Sequence, residues 1–257
     1  MTDSSVCVVF VCNLAYINKF IFTCNALRTV GQYSGPVCLV IGDDLLNHTL
    51  LNHSEVSRLN LQIKHFPDIA FPSEFIQTTR SLTRPPHWNM KMFQYHKFYL
   101  FDHYFKQYNY VFYLDCGIHI FQPISQLLQT KQPNTLLAHS DAYPQFEWKL
   151  KCQFDETQTK LFSELSSTYN LSQDYCQTTI MLYDTSIIDA DTFQNLYDLA
   201  VKFPISKTND QGIIALYYTQ IKPHFKQIPV RNQETWFYDY LSRAKQFKYI
   251  MLKIVGS

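Results

Sequence analysis

Glycine is scarce in this chain, six residues in 257, and that scarcity closes off several chemistries. No Gly-x-Gly-x-x-Gly follows an apolar run and no Gly-x-x-x-x-Gly-Lys-Ser/Thr occurs. Neither a dinucleotide turn nor a P-loop is therefore present to wrap a phosphate in backbone amides. His-Glu-x-x-His, Gly-x-Ser-x-Gly and the kinase motifs are missing as well. The seven cysteines, at 7, 12, 24, 38, 116, 152 and 176, are odd in number and form no Cys-x-x-Cys pair, which argues against zinc and a disulfide framework. Cys7 and Cys38 lie inside apolar runs, where a thiol behaves as a small hydrophobe. No sign of charge dominates: 22 Lys and Arg stand against 21 Asp and Glu, net +1. Without a basic run, nucleic acid has no electrostatic footprint to meet. No apolar run nears the roughly 18 residues that span a bilayer, and the first residues lack the basic start of a secretory signal. The expectation is a cytoplasmic, reduced protein with no nucleic-acid partner and no integral membrane segment.

What is abundant is aromatic: 18 Tyr and 20 Phe, too many for a disordered chain. The length suits one large core. Val6 to Val11 and Pro36 to Ile41 are short, continuous apolar runs of the kind found in strands buried on both faces. Between them, Ile17, Phe20, Ile21, Cys24 and Leu27 recur at helical spacing, so the first forty residues read as a right-handed βαβ unit. A weakly patterned helix is expected over 44–58, then a strand over 61–66. Residues 67–88 hold four prolines, Arg80 and Arg84 without a clear period, and read as a long loop or lid. Helices are expected over 89–108, 125–130, 156–169, 190–202 and 209–218. Strands are expected over 135–139 and 177–183, with an edge strand within 221–230. The fold class is α/β, a single domain over 1–257 with a mostly parallel central sheet flanked by helices.

The densest information lies in Tyr110-Val-Phe-Tyr-Leu-Asp115-Cys-Gly-Ile-His-Ile-Phe121. A buried apolar run stops at an acid followed by two small residues. A carboxylate at the C-terminal end of a central parallel strand sits where open α/β sheets bind ligands. The same acid could equally cap the next turn. Acids and amides also stand at other strand ends, Asn13, Asp43, Asp44, Gln177 and Asp210. Such groups could hold Mg²⁺ or Mn²⁺ against a diphosphate, since these ions take hard oxygen ligands.

This stretch resembles the DxD-bearing strand of the glycogenin-like, family 8-like glycosyltransferases of the GT-A (Rossmann-like) fold. Three further segments match in the same order. Val8-Val-Phe-Val-Cys-Asn-Leu-Ala-Tyr16 is similar to the first strand and its uridine-contacting loop. Lys97 corresponds to a donor-contacting lysine, and Asn209-Asp-Gln-Gly-Ile213 resembles the family's Asp-Gln helix start. The resemblance implies a transferase that moves a sugar, hexosyl in type, from a nucleotide-sugar donor, UDP-linked, to a hydroxyl of a glycan, protein or small molecule. It implies a nucleotide-binding half over 1–123 and a sugar and acceptor half over 124–257. Cys12, Asn13 and Tyr16 would line the nucleobase pocket, and Lys97 would meet the diphosphate or sugar. Asp115 would bind metal or ribose, Gln177 and Thr178 would match an Asn-Ser pair near the sugar, and Asp210 and Gln211 would face the transferred sugar.

Plainer readings stand beside these: Tyr16 as core, Lys97 as a solvated helix residue, Asp210 as an acid favoured by a helix N-terminus. The chain also departs from the pattern. Gly117 replaces the second acid of the DxD, leaving Asp115 and, two residues on, His119 as candidate ligands for the implied Mn²⁺ or Mg²⁺. The family's C-terminal His-x-x-Gly-x-Lys-Pro-Trp-type segment has no counterpart before Ile254-Val-Gly-Ser257. Arg80 and Arg84, from the loop, could help Lys97 neutralise the departing diphosphate, and that loop could close over the donor. An inverting reaction would need a base, with Asp210 first and Asp141 second. The alternative is a non-catalytic or nucleotidyltransferase-like α/β nucleotide-binding protein.

Overall fold

Alternation along one strand divides the molecule in two. In β1 (Val6–Cys12) every residue is buried. Cys7, Val9 and Val11 enter one apolar core, while Val6, Val8, Phe10 and Cys12 enter another on the opposite face, as the two-residue repeat of a strand requires. The computed structural model describes residues 5–52, 54–85, 89–140, 143, 147–240 and 248–254.

After β1 come α1 (Ile17–Thr29), β2 (Val37–Ile41), α2 (Ser54–Arg58), β3 (Leu61–His65) and α3 (Ser73–Ser81). Two 3-10 helices, Met92–Phe101 and His103–Gln107, lead into β4 (Tyr110–Leu114), β5 (Ile118–Ile120) and α4 (Ser125–Leu128). Then follow β6 (Leu136–Ser140), α5 (Thr159–Thr168), β7 (Cys176–Asp184), α6 (Thr192–Lys202) and α7 (Asp210–Leu216). The chain continues through β8 (Phe225–Gln227), β9 (Arg231–Asn232), β10 (Thr235–Tyr240) and β11 (Tyr249–Lys253).

Seven strands form the main sheet in the order β3-β2-β1-β4-β7-β6-β8. The pairs β3–β2, β2–β1, β1–β4 and β6–β8 are parallel, and β7 runs antiparallel to both its neighbours. The sheet is thus mostly parallel, with one reversed strand beside its centre. One face is covered by α3, the Met92–Phe101 segment, α5, α6 and α7; the other by α1, α4 and a small sheet in the order β5-β11-β10-β9. In α1, Ile17, Phe20, Cys24 and Leu27 supply the apolar stripe. The helix ends where Gly31 lets the chain pass close to it; a Cβ there would lie 2.6 Å from the Leu27 carbonyl oxygen. All seven cysteines are free, and among the described residues no helix is long and apolar enough to cross a membrane.

Several expectations change. The 44–58 helix is reduced to a 3-10 turn at Thr49–Asn52 and α2, because Asn47 takes a left-handed φ of 61° that interrupts it. The 89–108 helix is two 3-10 helices, broken where the Asp102 carboxylate turns back to accept from the Tyr104 amide at 2.8 Å. The segment expected as a loop or lid contains α3, anchored by Phe75 and Thr79. Phe71 stacks on Phe75 and Tyr197 at 4.1 and 5.3 Å, so the described part of this segment is fastened to the core. Trp88 lies outside the described residues. The small sheet's β9 to β11 lie beyond the strands expected from the sequence.

Candidate active site

Because β7 is reversed, its first residues lie beside the last residues of β4. The Asp115 amide donates to the Thr179 carbonyl at 2.9 Å, which sets Asp115 next to Thr178. Lys97, in the 3-10 helix packed on that face, reaches between them. Its ammonium lies 3.1 Å from Asp115 Oδ1 and 3.4 Å from Asp210 Oδ2, and donates to Thr178 O and Oγ1 at 3.1 and 3.2 Å. Thr178 Oγ1 in turn donates to Asp210 Oδ2 at 2.7 Å, and Gln211 Oε1 accepts from the Thr178 amide at 3.2 Å. Asp210 stands here because Asn209 takes a left-handed φ of 57° immediately before α7; the Asn209 amide group donates to Asn89 O and Gln94 Oε1. Lys97, Asp115, Thr178, Asp210 and Gln211 are five residues named from the sequence, and the fold brings them together.

The two carboxylates experience this ammonium differently. Burial pushes the Asp210 carboxyl up by more than Lys97 and the Thr178 hydroxyl recover, and Asp115 adds like-charge repulsion, so it lies above the ordinary range. For Asp115 burial also acts upward, but Lys97, Lys253 and the Tyr113 hydroxyl, 2.5 Å away, outweigh it and hold the group low. Burial would depress the Lys97 ammonium; the adjacent carboxylates overcome this and raise it. The cluster therefore keeps a charged ammonium and a charged Asp115.

At the C-terminal end of β1, a cleft of about 330 Å³ is lined by Asn13, Tyr16, Lys91, Met92, Phe93 and Gln94. Lys91 Nζ donates to the Tyr16 hydroxyl at 3.0 Å. The Asn13 side-chain oxygen is buried without a hydrogen-bond partner, and an acceptor left so is suited to a ligand's N–H. Two of the three expected nucleobase residues thus line the cleft. Cys12, fully buried in the core beneath, does not. Lys91 is not among the residues expected from the sequence; the signal it carries there is a lysine just ahead of the aromatic run Phe93–Phe101.

The remaining expected residues fall elsewhere. Gln177 is buried at the start of β7, its Oε1 accepting from the Thr179 hydroxyl at 3.5 Å. Arg80 is exposed on α3. Arg84 donates to main-chain carbonyls through Nη1 and Nε, to Thr79 and Lys207 at 2.6 and 3.1 Å, with its Nη2 buried and unpartnered. Asp141 lies outside the described residues. His119 packs its ring against Phe22 and Phe121, at 4.9 and 6.2 Å. GT-A glycosyltransferases commonly use a divalent metal, but the donor set here does not fit one. Gly117 offers no side-chain ligand and His119 is packed among aromatics. Asp115 already meets two ammonium groups, Lys97 and Lys253, the latter 3.9 Å from Oδ2. No group of three or more His, Cys, Asp or Glu among the described residues could hold a metal ion.

Solved structures share this arrangement of strands at low sequence identity. The galactosyltransferase LgtC, in complex with donor and acceptor sugar analogs, aligns with a TM-score of 0.61 at 11% identity, over 97% of this chain and 87% of that one. Mouse xyloside xylosyltransferase 1 aligns at 0.52 and 10% identity, over 98% and 97%. The mannosyltransferase Ktr4p from S. cerevisiae, in complex with GDP, aligns at 0.51 and 9% identity, over 88% and 69%. No curated protein matches in sequence. The family model described as glycosyl transferase family 8 matches residues 7–185, a span that takes in Lys97, Asp115, the whole of β7 and all of β1 but Val6, and the chain belongs to that family.

Proposed function

We propose that this glycosyltransferase moves a hexose from a UDP-sugar to a hydroxyl acceptor. The chain is read as one domain, with the nucleotide half over 1–123 and the sugar and acceptor half over 124–257, working in the reducing cytoplasm. The observation that carries this reading is the adjacency of the cleft at the end of β1 to the buried Lys97–Asp115–Asp210 cluster. They are joined through Asn209, which touches both Gln94 in the cleft wall and, in sequence, Asp210. In the cleft, the unpaired oxygen of Asn13 would accept the N–H of a pyrimidine and Tyr16 would pack on the ring. Galactosyl-, xylosyl- and mannosyltransferases by name share this fold, so the choice of sugar belongs to side chains around Gln211 and Thr178 and not to the sheet.

In the transfer, the bond from the anomeric carbon to the diphosphate oxygen breaks with its electron pair left on the diphosphate. The acceptor oxygen bonds the anomeric carbon, and its proton passes to the departing diphosphate, the strongest base that arrives with the substrates. Asp210 is a positioning residue: it is 1% exposed, its Oδ2 taken by Lys97 and Thr178, and it fixes the ammonium that steadies Asp115. Gln211, half-buried beside it, is the group assigned to the sugar.

A panel of UDP- and GDP-sugars tests this. A UDP-hexose should raise the melting temperature and, without acceptor, release free sugar slowly. No shift with any member of the panel would remove the reading. A second reading, a donor-binding protein without turnover, is favoured by Gly117 in place of the second acid; it expects the thermal shift without sugar release.

A further inference from the structure

The turn that ends β4 is met by a positive charge from the small sheet. Lys253, the last residue of β11, donates to the Cys116 carbonyl at 2.8 Å and lies 3.9 Å from Asp115 Oδ2. It arrives there because β11 pairs with β5, setting Lys253 opposite Ile118. Gly117, between these two contacts, has a φ of +86°, a region that disfavours any L side chain. A Cβ added to it would lie 3.7 Å from Lys253 Nζ and 3.4 Å from Lys19 Cδ. The position where a second carboxylate would project is thus flanked by two lysines, and its backbone suits glycine. An ammonium has no ligand to offer a metal, whereas it is a compact donor of three hydrogen bonds to phosphate oxygens.

We propose that Lys253, with Lys97 behind it, takes the part of the divalent cation in this site and meets the diphosphate of the donor directly. The inference rests on the donor reading above. It assigns a role to the loss of the second acid: that carboxylate would sit against Lys253 and cancel the charge the diphosphate needs. Asp115 remains because it holds both ammonium groups at the strand end.

The test is calorimetric titration of the full chain with UDP and with GDP, in EDTA and in Mn²⁺. UDP is expected to bind in EDTA within about threefold of its affinity in Mn²⁺. Lys253→Met should weaken binding in EDTA by about tenfold or more, the loss of one charge-assisted contact, and Lys253→Arg should restore most of it. Melting curves of both variants without ligand separate lost binding from lost folding, and the wild-type comparison of the two buffers needs no variant. Binding that requires Mn²⁺ overturns the inference and leaves the donor reading standing, as does EDTA binding unchanged by Lys253→Met. Absence of binding by either nucleotide in both buffers overturns the inference and the donor reading together.

Discussion

Two carboxylates share one buried ammonium at the centre of this site, and they share it unequally. Asp210 is enclosed and lies above the ordinary carboxyl range; Asp115, its side chain 22% exposed and served by Lys97 and Lys253, lies below it. For Asp115 a depressed folded value means that its stabilisation is fully present above its ordinary value of 3.8. It is lost as pH falls through the lower folded value. Asp115→Asn should therefore cost about 1.5–3 kcal/mol at neutral pH, the range for hydrogen bonds to charged groups. Urea denaturation from pH 7 down to pH 3 should show the gap from wild type narrowing only below 3.8. A gap independent of pH would mean that the carboxylate draws nothing from the two lysines.

At the scale of elements, the site depends on how α3 and α7 are tied. Arg84 donates to the carbonyls of Thr79, near the end of α3, and Lys207, just ahead of Asn209. Arg84→Met leaves those carbonyls without donors and should cost about 1–3 kcal/mol. It should also weaken donor binding through Asn209 and Asp210; full affinity in a destabilised variant would limit Arg84 to a stabilising role. The βαβ start was legible because β1 and β2 are apolar at every position and α1 carries a clean stripe. The α3 helix was hidden by the prolines around it, since Phe71, Phe75 and Thr79 alone mark its inner side. Asp115, Lys97, Thr178, Asp210 and Gln211 could be named because the short segments that hold them follow one another in the order of the glycogenin-like pattern. Lys253 could not, for its contact with Asp115 exists only once β11 pairs with β5; Tyr113, two residues before Asp115 and on its side of the strand, was masked by the apolar run it belongs to. His119 was named as a ligand from its spacing after Asp115 alone, whereas pairing of β5 in the small sheet sets its ring against Phe22.

Across the whole molecule, the small sheet reaches the site twice, through Lys253 and through the Tyr238 hydroxyl, 2.8 Å from Thr179 Oγ1. A donor held there should couple the two sheets. At a hundredfold excess over its dissociation constant it would add about 2.7 kcal/mol to stability. Hydrogen exchange should slow in β10 and β11 as well as in β1 and β4; protection confined to the main sheet would separate the small one from donor binding. The strand order has a consequence for synthesis. β1, β2 and β3 can pair as soon as residue 65 is made, but the other edge of β1 stays open until β4 follows. β6 lies between β7 and β8, so it cannot join the growing sheet until the reversed strand has been made and inserted beside β4. At about 5–20 residues per second on the ribosome, the nascent chain carries an unpaired, wholly apolar strand edge for a time on the order of seconds. Such an edge is a template for other chains, which makes this interval the natural point of engagement for a chaperone.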